Sequence, residues 1–358
     1  MYAVIMAGGR GARFWPRSRE KKPKHLLDIV GTRTMIQETV DRIKPLIAPK
    51  NILIVTGKKH ARELIRQLPE VFAKNIIIEP EGKNTAACIG LAALHIQKIT
   101  GDDIMIVLPS DHAIGYPDKY RAVISAAAQT AAQNNALVTI GIKPTSPHTG
   151  FGYVEQGELS GQVSGEEVFR VLSIREKPDF PQAQTFVQSG KFYWNSGMFI
   201  WKTSAILMEI ARWLPDLNKG LIKIEKALGS DKEAATIRGV YKRLSSISID
   251  YGVMEKANNT FMLKGDFGWS DVGSWDAVYE ISAKDDNGNA VTTGSSVIFE
   301  DTENSLVYSP QKLVAMVGVK DLIVVETKNA LLICKKGASQ DIKKVVETLE
   351  AKKIKKYL

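Results

Sequence analysis

The first 142 residues repeat a single pattern, and that pattern limits the fold more than any other feature. Short apolar runs at Tyr2–Ala7, Asn51–Thr56, Asn75–Glu79, Asp103–Leu108 and Ala136–Ile142 alternate with helix-like stretches near Thr34–Ile47, Lys58–Leu68, Asn84–Ile99 and Pro117–Gln133. Strands separated by helices predict βαβ units and a mainly parallel sheet. The runs are continuously apolar, as expected of strands covered on both faces. Ligands of such sheets bind at the carboxyl ends of the strands. The Gly-rich loop after the first strand and Pro109–His112 after the fourth are therefore placed to share one crevice.

The texture changes at about Gly150. Gly150–Leu159 and Val168–Ile174 read as extended, partly antiparallel segments. Phe180–Ser189 reads as helix, Trp194–Lys202 as extended, Thr203–Arg243 as largely helical, Ser246–Asp250 as a strand, and Tyr251–Ala257 as the start of a helix. After about Asp285, short strands at Ser296–Phe299, Ser305–Tyr308, Lys312–Val317, Leu322–Glu326 and Ala330–Cys334 follow one another closely, and a last helix covers Ser339–Lys353. The expected organisation is an α/β domain over residues 1–285, Rossmann-like with a mixed, mainly parallel sheet flanked by helices. A small β-rich domain over 286–358 ends in a helix. That appendage is either a short left-handed β-helix or a small antiparallel sheet.

Composition narrows the function. Hydrophobic and charged fractions of 44% and 24% are those of an ordinary globular chain. No run approaches the length of a membrane span, and the N-terminus lacks the features of a signal peptide, so the cytoplasm is the expected compartment and no membrane partner is expected. The two cysteines, Cys88 and Cys334, sit in apolar runs and are expected to be free thiols. Much of the net charge of +9 lies in Arg10–Lys24 and in the C-terminal tail. Neither stretch interleaves aromatics with basic residues as a single-strand nucleic-acid surface does, so small polyanions are the expected partners rather than nucleic acid.

The strongest motif is Ala7-Gly8-Gly9-Arg10-Gly11-Ala12-Arg13-Phe14-Trp15-Pro16, followed by Pro23-Lys24. Glycines after a buried strand let backbone N–H groups approach phosphate oxygens, and Arg13 and Lys24 add charge-assisted bonds. Phe14 stands where the dinucleotide fingerprint needs its third glycine, and no Gly-Lys-Ser/Thr is present, so a nicotinamide dehydrogenase and a P-loop NTPase are both disfavoured. Asp111 in Leu108-Pro109-Ser110-Asp111-His112 suits either a turn or Mg²⁺. Asp271 in Trp269-Ser270-Asp271-Val272-Gly273 suits either a helix cap or a second metal carboxylate. Pro178 ends a strand at Arg175-Glu176-Lys177, so Glu176 and Lys177 are expected to point opposite ways. Asn195-Ser196-Gly197 suits a polar ligand beside a ring, or a hairpin turn. No Ser–His–Asp or Cys–His arrangement supports covalent catalysis.

Taken in this order, the segments resemble the sugar nucleotidylyltransferase family, densely over residues 2–283. The resemblance implies that Ala7, Gly8, Gly9, Gly11, Arg13, Lys24 and Ser110 bind the nucleotide, with Glu79, Asn84 and Thr85 near the base. It implies sugar-phosphate contacts from Gly152, Glu176, Lys177 and Asn195, catalytic roles for Arg13, Lys24 and Lys177, and Mg²⁺ held by Asp111 and Asp271. Lys83-Asn84-Thr85-Ala86, Asp250-Tyr251 and Val253-Met254-Glu255-Lys256 match guanylyl-type members, which implies GTP and mannose 1-phosphate as substrates. Ala12 replaces the usual hydroxyl residue, and Lys83 the commoner Arg. The chain stops before the cupin-type domain of longer members, so isomerase activity is not expected. The apolar strands of the β appendage need cover, which predicts a homodimer through it. The alternatives are a relative with another nucleotide or sugar, or a non-catalytic nucleotide-sensing subunit.

Overall fold

A computed structural model describes residues 1–9, 11–292 and 294–358. Arg10, part of the basic cluster, lies outside the described residues. The chain forms two compact units.

The larger unit comprises residues 1–8, 40–109 and 114–269. Its nine strands are β1 (Tyr2–Ala7), β2 (Ile52–Gly57), β3 (Ile76–Glu79), β4 (Ile104–Pro109), β5 (Leu137–Ile142), β6 (Tyr153–Val163), β7 (Glu166–Arg175), β8 (Phe192–Lys202) and β9 (Thr260–Lys264). They form one sheet in the order β3-β2-β1-β4-β8-β5-β9-β7-β6. The β3-β2-β1-β4 half is parallel. Antiparallel β8 lies between β4 and β5, and β6–β7 add an antiparallel ribbon. Strands β1 and β4 are neighbours with Met6 opposite Pro109, so their carboxyl ends lie side by side.

Helix α1 (Met35–Ile43) precedes β2, α2 (Lys58–Gln67) follows it, α3 (Asn84–Thr100) follows β3 and α4 (Pro117–Asn134) precedes β5. Helices α5 (Phe180–Ser189), α6 (Thr203–Trp213), α7 (Pro215–Ala227) and α8 (Glu233–Tyr241) come from the second half. Alternate residues of β1 (Tyr2, Val4), β2 (Leu53, Val55) and β4 (Met105, Val107) meet α3 and α6–α8 in one core, as the two-residue strand period requires. Helix α3 buries Ala86–Leu94 without a polar stripe, the behaviour of a helix enclosed on all sides.

The expected strand at Ser246–Asp250 is absent. The alternation Ser-Ile-Ser-Ile imitates a half-buried strand, but the segment bonds irregularly to the start of α3. Ile247 N–H donates to Lys83 C=O, Ala86 N–H donates to Ile247 C=O, and Ile249 N–H donates to Thr85 Oγ1. Asp250–Met254 then forms a π-helical turn.

The smaller unit gathers Gly9–Thr39, Ser110–Ala113 and Ser270–Leu358. Its regular elements are α9 (Trp275–Ile281), β10 (Ala290–Val291), β11 (Ser296–Glu300), β12 (Leu306–Tyr308), β13 (Leu313–Val317), β14 (Leu322–Thr327), β15 (Ala330–Lys335) and α10 (Ile342–Ala351). Strands β10, β12 and β14 stack in parallel, the register advancing 16 residues from Ala290 to Leu306 and 17 from Leu306 to Ile323. Strand β11 pairs in parallel with β13, 17 residues on, Ser296 beside Leu313. A near-constant advance with parallel pairing is a coil repeat, so the appendage is a short β-helix and not an antiparallel sheet. Strand β15 departs from this pattern, turning back antiparallel to β14. Val307, Met316 and Val324 fill the coil, with Val297, Phe299 and Val314 against them. Asn289 lines it by donating to Thr302 C=O and accepting from Ser305 N–H.

A second core in this unit joins Phe14, Trp15 and Leu27 from the loop region to Val272 and Trp275, and to Leu306, Ile323, Val325, Leu332 and Ile342. Phe14, the residue that spoils a dinucleotide fingerprint, packs on Trp275 at 5.2 Å between ring centroids. Arg17 lies 4.0 Å over the Tyr308 ring and donates to Asp28 C=O at 2.7 Å. The β-helix is thus part of the foundation of the Gly-rich loop. Both cysteines are free thiols, as expected, Cys88 buried and Cys334 half-buried.

Candidate active site

Within the smaller unit, the Gly-rich loop, Asp111 and Asp271 line one pocket of about 580 Å³ with Gly11, Ala12, Arg13, Phe14, Lys24 and His112. Gly11 takes a left-handed conformation, φ 62°, to start the 3₁₀ turn Ala12–Phe14. A Cβ there would lie 2.6 Å from Lys24 Cβ, so both conformation and space require glycine. Ala12 contributes backbone to this turn. Arg13 is exposed at the pocket wall and makes no ion pair among the described residues.

Lys24 is buried, and its ammonium group ties the two aspartate segments together. Nζ donates to Asp111 Oδ2 at 2.8 Å, to Asp111 C=O at 3.0 Å and to Asp271 C=O at 2.7 Å. Burial alone would raise the Asp111 carboxyl, but Lys24, His112 and His25 outweigh it and hold the group below its usual range. Asp271 does not cap α9, whose first turn takes Ser274 as its flanking residue. Its Oδ1 instead accepts from Gly273 N–H at 3.2 Å. The next residue, buried Val272, has φ 44°, a strained position for a β-branched side chain. Two aspartates on one pocket wall, beside Arg13, fit Mg²⁺, which takes one or two protein carboxylates and completes its shell with phosphate oxygens and water. No set of three or more His, Cys, Asp or Glu side chains suited to a metal occurs among the described residues.

The larger unit holds the residues expected near the base and the sugar phosphate, in two groups. At the end of β3, Glu79 accepts from the Tyr241 hydroxyl at 3.0 Å. Burial, opposed only by that bond, pushes the Glu79 carboxyl up to about 7. Asn84 opens α3 at φ 66° with its Oδ1 bonded to Thr85 N–H. Thr85 Oγ1 is the acceptor for Ile249, so the 84–85 pair is fixed by the 247–249 segment.

The second group surrounds Asn195. Thr139 Oγ1 donates to Asn195 Oδ1 at 2.9 Å, and Asn195 Nδ2 donates to Asp250 Oδ1 at 2.8 Å, which fixes the carboxamide. Asn195 N–H donates to Gly152 C=O, and a side chain on Gly152 would overlap Glu176 Oε2. Asn195-Ser196-Gly197 lies inside β8 and is not a hairpin turn. Glu176 and Lys177 do not point opposite ways. The strand ends at Arg175, Lys177 adopts φ 48°, and the chain reversal turns its ammonium onto Glu176 Oε1. Burial would lower the Lys177 amine, but the Glu176 pairing, with Tyr251 and Asp250, raises it. Burial, with Glu176 second, pushes the Asp250 carboxyl up to about 7. Phe151 packs edge-on to Trp194 at 5.0 Å beside this group.

Sequence reasoning gave no role to Thr139, Tyr241 or Asp250. Asp250 carried a signal, since it stands in a quoted motif, whereas Thr139 and Tyr241 are ordinary strand and helix residues.

Residues 2–288 match the family described as nucleotidyl transferase, and residues 295–349 match the MannoseP isomerase/GMP-like beta-helix domain. The chain is 40% identical over 357 residues to a mannose-1-phosphate guanylyltransferase of Escherichia coli K12, covering 98% of this chain and 74% of that one. It is 41% identical over 360 residues to a mannose-1-phosphate guanylyltransferase of Salmonella typhimurium, covering 98% and 73%. A crystal structure described as a mannose-1-phosphate geranyltransferase from Thermus thermophilus superposes with a TM-score of 0.89 at 31% identity, over 98% of this chain and 99% of that one. The chain belongs to the nucleotidyl transferase family, among the relatives of the mannose-1-phosphate guanylyltransferases.

Proposed function

We propose that the chain transfers GMP from GTP to α-D-mannose 1-phosphate, forming GDP-mannose and pyrophosphate. The observation that carries this reading is the pocket in which Arg13, Lys24, Asp111 and Asp271 come together. A phosphate oxygen of mannose 1-phosphate attacks the α-phosphorus of GTP. The new P–O bond forms as the bond to the β-phosphate bridging oxygen breaks, and that oxygen leaves with pyrophosphate. Such transfer depends on positioning and on neutralising charge.

Arg13, which makes no ion pair among the described residues, supplies a cation for the triphosphate. Lys24 holds Asp111 and Asp271 in place. Lys177 orients the attacking phosphate, Gly152, Glu176 and Asn195 bind the sugar, and Glu79, Asn84 and Thr85 lie at the base. Asp111 and Asp271 would hold Mg²⁺, which neutralises phosphate charge when bound. Residues 1–285 carry the reaction, and residues 286–358 support the loop and pair two copies into a homodimer. The compartment is the cytoplasm. Among the described residues no helix is long and apolar enough to cross a membrane.

The test is a panel of nucleotides and sugar 1-phosphates with Mg²⁺, read by pyrophosphate release. GTP with mannose 1-phosphate is expected to be the fastest pair. Release with another pair alone would reassign the substrates, and no release with any pair would refute the reading.

A further inference from the structure

Helix α10 brings a further charged stripe to the pocket that holds Arg13 and the two aspartates. Lys343, Val346, Glu347 and Glu350 complete its wall. Their spacing of three, four and seven residues puts them on one face of the helix. The neighbouring Ile342 is buried in the core that also holds Phe14, so the helix cannot turn this face elsewhere. The tail beyond it is fixed to the loop region as well. Trp15 Nε1 donates to Tyr357 C=O at 2.9 Å, and Arg19 donates to Lys356 C=O at 3.1 Å.

We propose that Lys343 is a further phosphate-binding residue, engaging the end of the triphosphate that leaves as pyrophosphate. This rests on the reading of the pocket as the triphosphate site. Two facts select Lys343 from the basic tail. It is the lysine of α10 that lines the pocket, whereas Lys344 faces away and pairs with Asp341 at 2.7 Å. Its partner on the same stripe, Glu347, sits at 3.3 Å with both side chains more than half exposed. A solvated i,i+4 pair is worth only a few tenths of a kcal/mol, so a polyphosphate can displace Glu347 from the ammonium. Glu347 on the same wall opposes a bare anion and favours one that arrives with its metal charge.

The test is calorimetric binding of magnesium pyrophosphate to the full chain, with steady-state kinetics alongside. Lys343→Ala should weaken pyrophosphate binding and raise the KM for GTP about tenfold, the size of one charge-assisted hydrogen bond, with the KM for mannose 1-phosphate unchanged. Lys343→Arg should retain most of the affinity, and Glu347→Gln should tighten it. Lys344→Ala, which removes the same net charge, should change neither. The proposal fails if Lys343→Ala binds within twofold of the unsubstituted chain, if Lys344→Ala weakens binding equally, or if the unsubstituted chain binds no pyrophosphate. Pyrophosphate binding that depends on Lys343, in a chain inactive with every substrate pair, would sink the activity and leave this assignment standing.

Discussion

Lys24 commits all three ammonium protons inside the protein, two to Asp111 and one to Asp271 C=O. The sequence marked it as a phosphate ligand, but its position makes it first a brace for the aspartates. Arg13 makes no ion pair among the described residues and is exposed at the pocket wall, which suits the phosphate-binding role proposed for it. Glu79 shows the opposite situation, a largely buried carboxyl whose donor among the described residues is the Tyr241 hydroxyl. Its folded value of about 7 lies above the ordinary 4.5. The sign follows directly. Below about 4.5 the group is protonated in both states and costs nothing, and as pH rises toward 7 the unfolded chain ionises more easily, so stability is lost. Glu79→Gln keeps an acceptor for Tyr241 and does not titrate. Denaturant unfolding should show the variant gaining about 3 kcal/mol over the unsubstituted chain between pH 4 and pH 8. A pH-independent difference would rule out buried ionisation at this position.

At the scale of elements, the turn at Gly11 is the most demanding local structure of the loop. It needs a positive φ and leaves no room for a Cβ against Lys24. Gly11→Ala is expected to cost about 1–3 kcal/mol of stability from strain and to weaken GTP binding at least tenfold, checked by thermal unfolding and nucleotide titration. Unchanged binding would mean that the loop geometry does not serve phosphate. The early strands were legible in the sequence because each is continuously apolar, and the strands of the appendage because they are short and closely spaced, but the choice of β-helix over antiparallel sheet came from their parallel pairing. Ser246–Asp250 misled because alternation is a necessary sign of a half-buried strand and not a sufficient one. The hydrogen bonds that segment needs were available at the start of α3. The Glu176–Lys177 pair was misjudged for a related reason. Alternation of side chains holds only while the strand continues, and it ends one residue earlier.

For the whole molecule, the motifs named most of the residues of the proposed site because glycines, prolines and charges at a strand end are chemically unusual. Thr139, Tyr241 and Lys343 are ordinary residues that gain meaning only from neighbours distant in sequence, so no local pattern could reveal them. The assembly is a matter for experiment. On the β11–β13 pair, Ile298, Leu313 and Val317 are all more than half exposed, an unusual density of apolar surface on paired strands. The proposed homodimer places this face under cover. Sedimentation at micromolar concentration should give twice the chain mass. Leu313→Lys with Val317→Lys should give the single mass with kcat within about twofold, since single exposed positions carry little folding energy. A double variant of unchanged mass would move the interface elsewhere.

The reversal of β15 has a consequence for solubility. A stack of parallel coils has no natural last member, because each new rung offers the next one an unpaired backbone. By running antiparallel to β14 after the Thr327–Ala330 turn, the final strand breaks the repeat that another chain's coil would have to continue. The turn therefore works as a terminus for the stack, allowing the protein to carry a short β-helix without seeding filaments from that end.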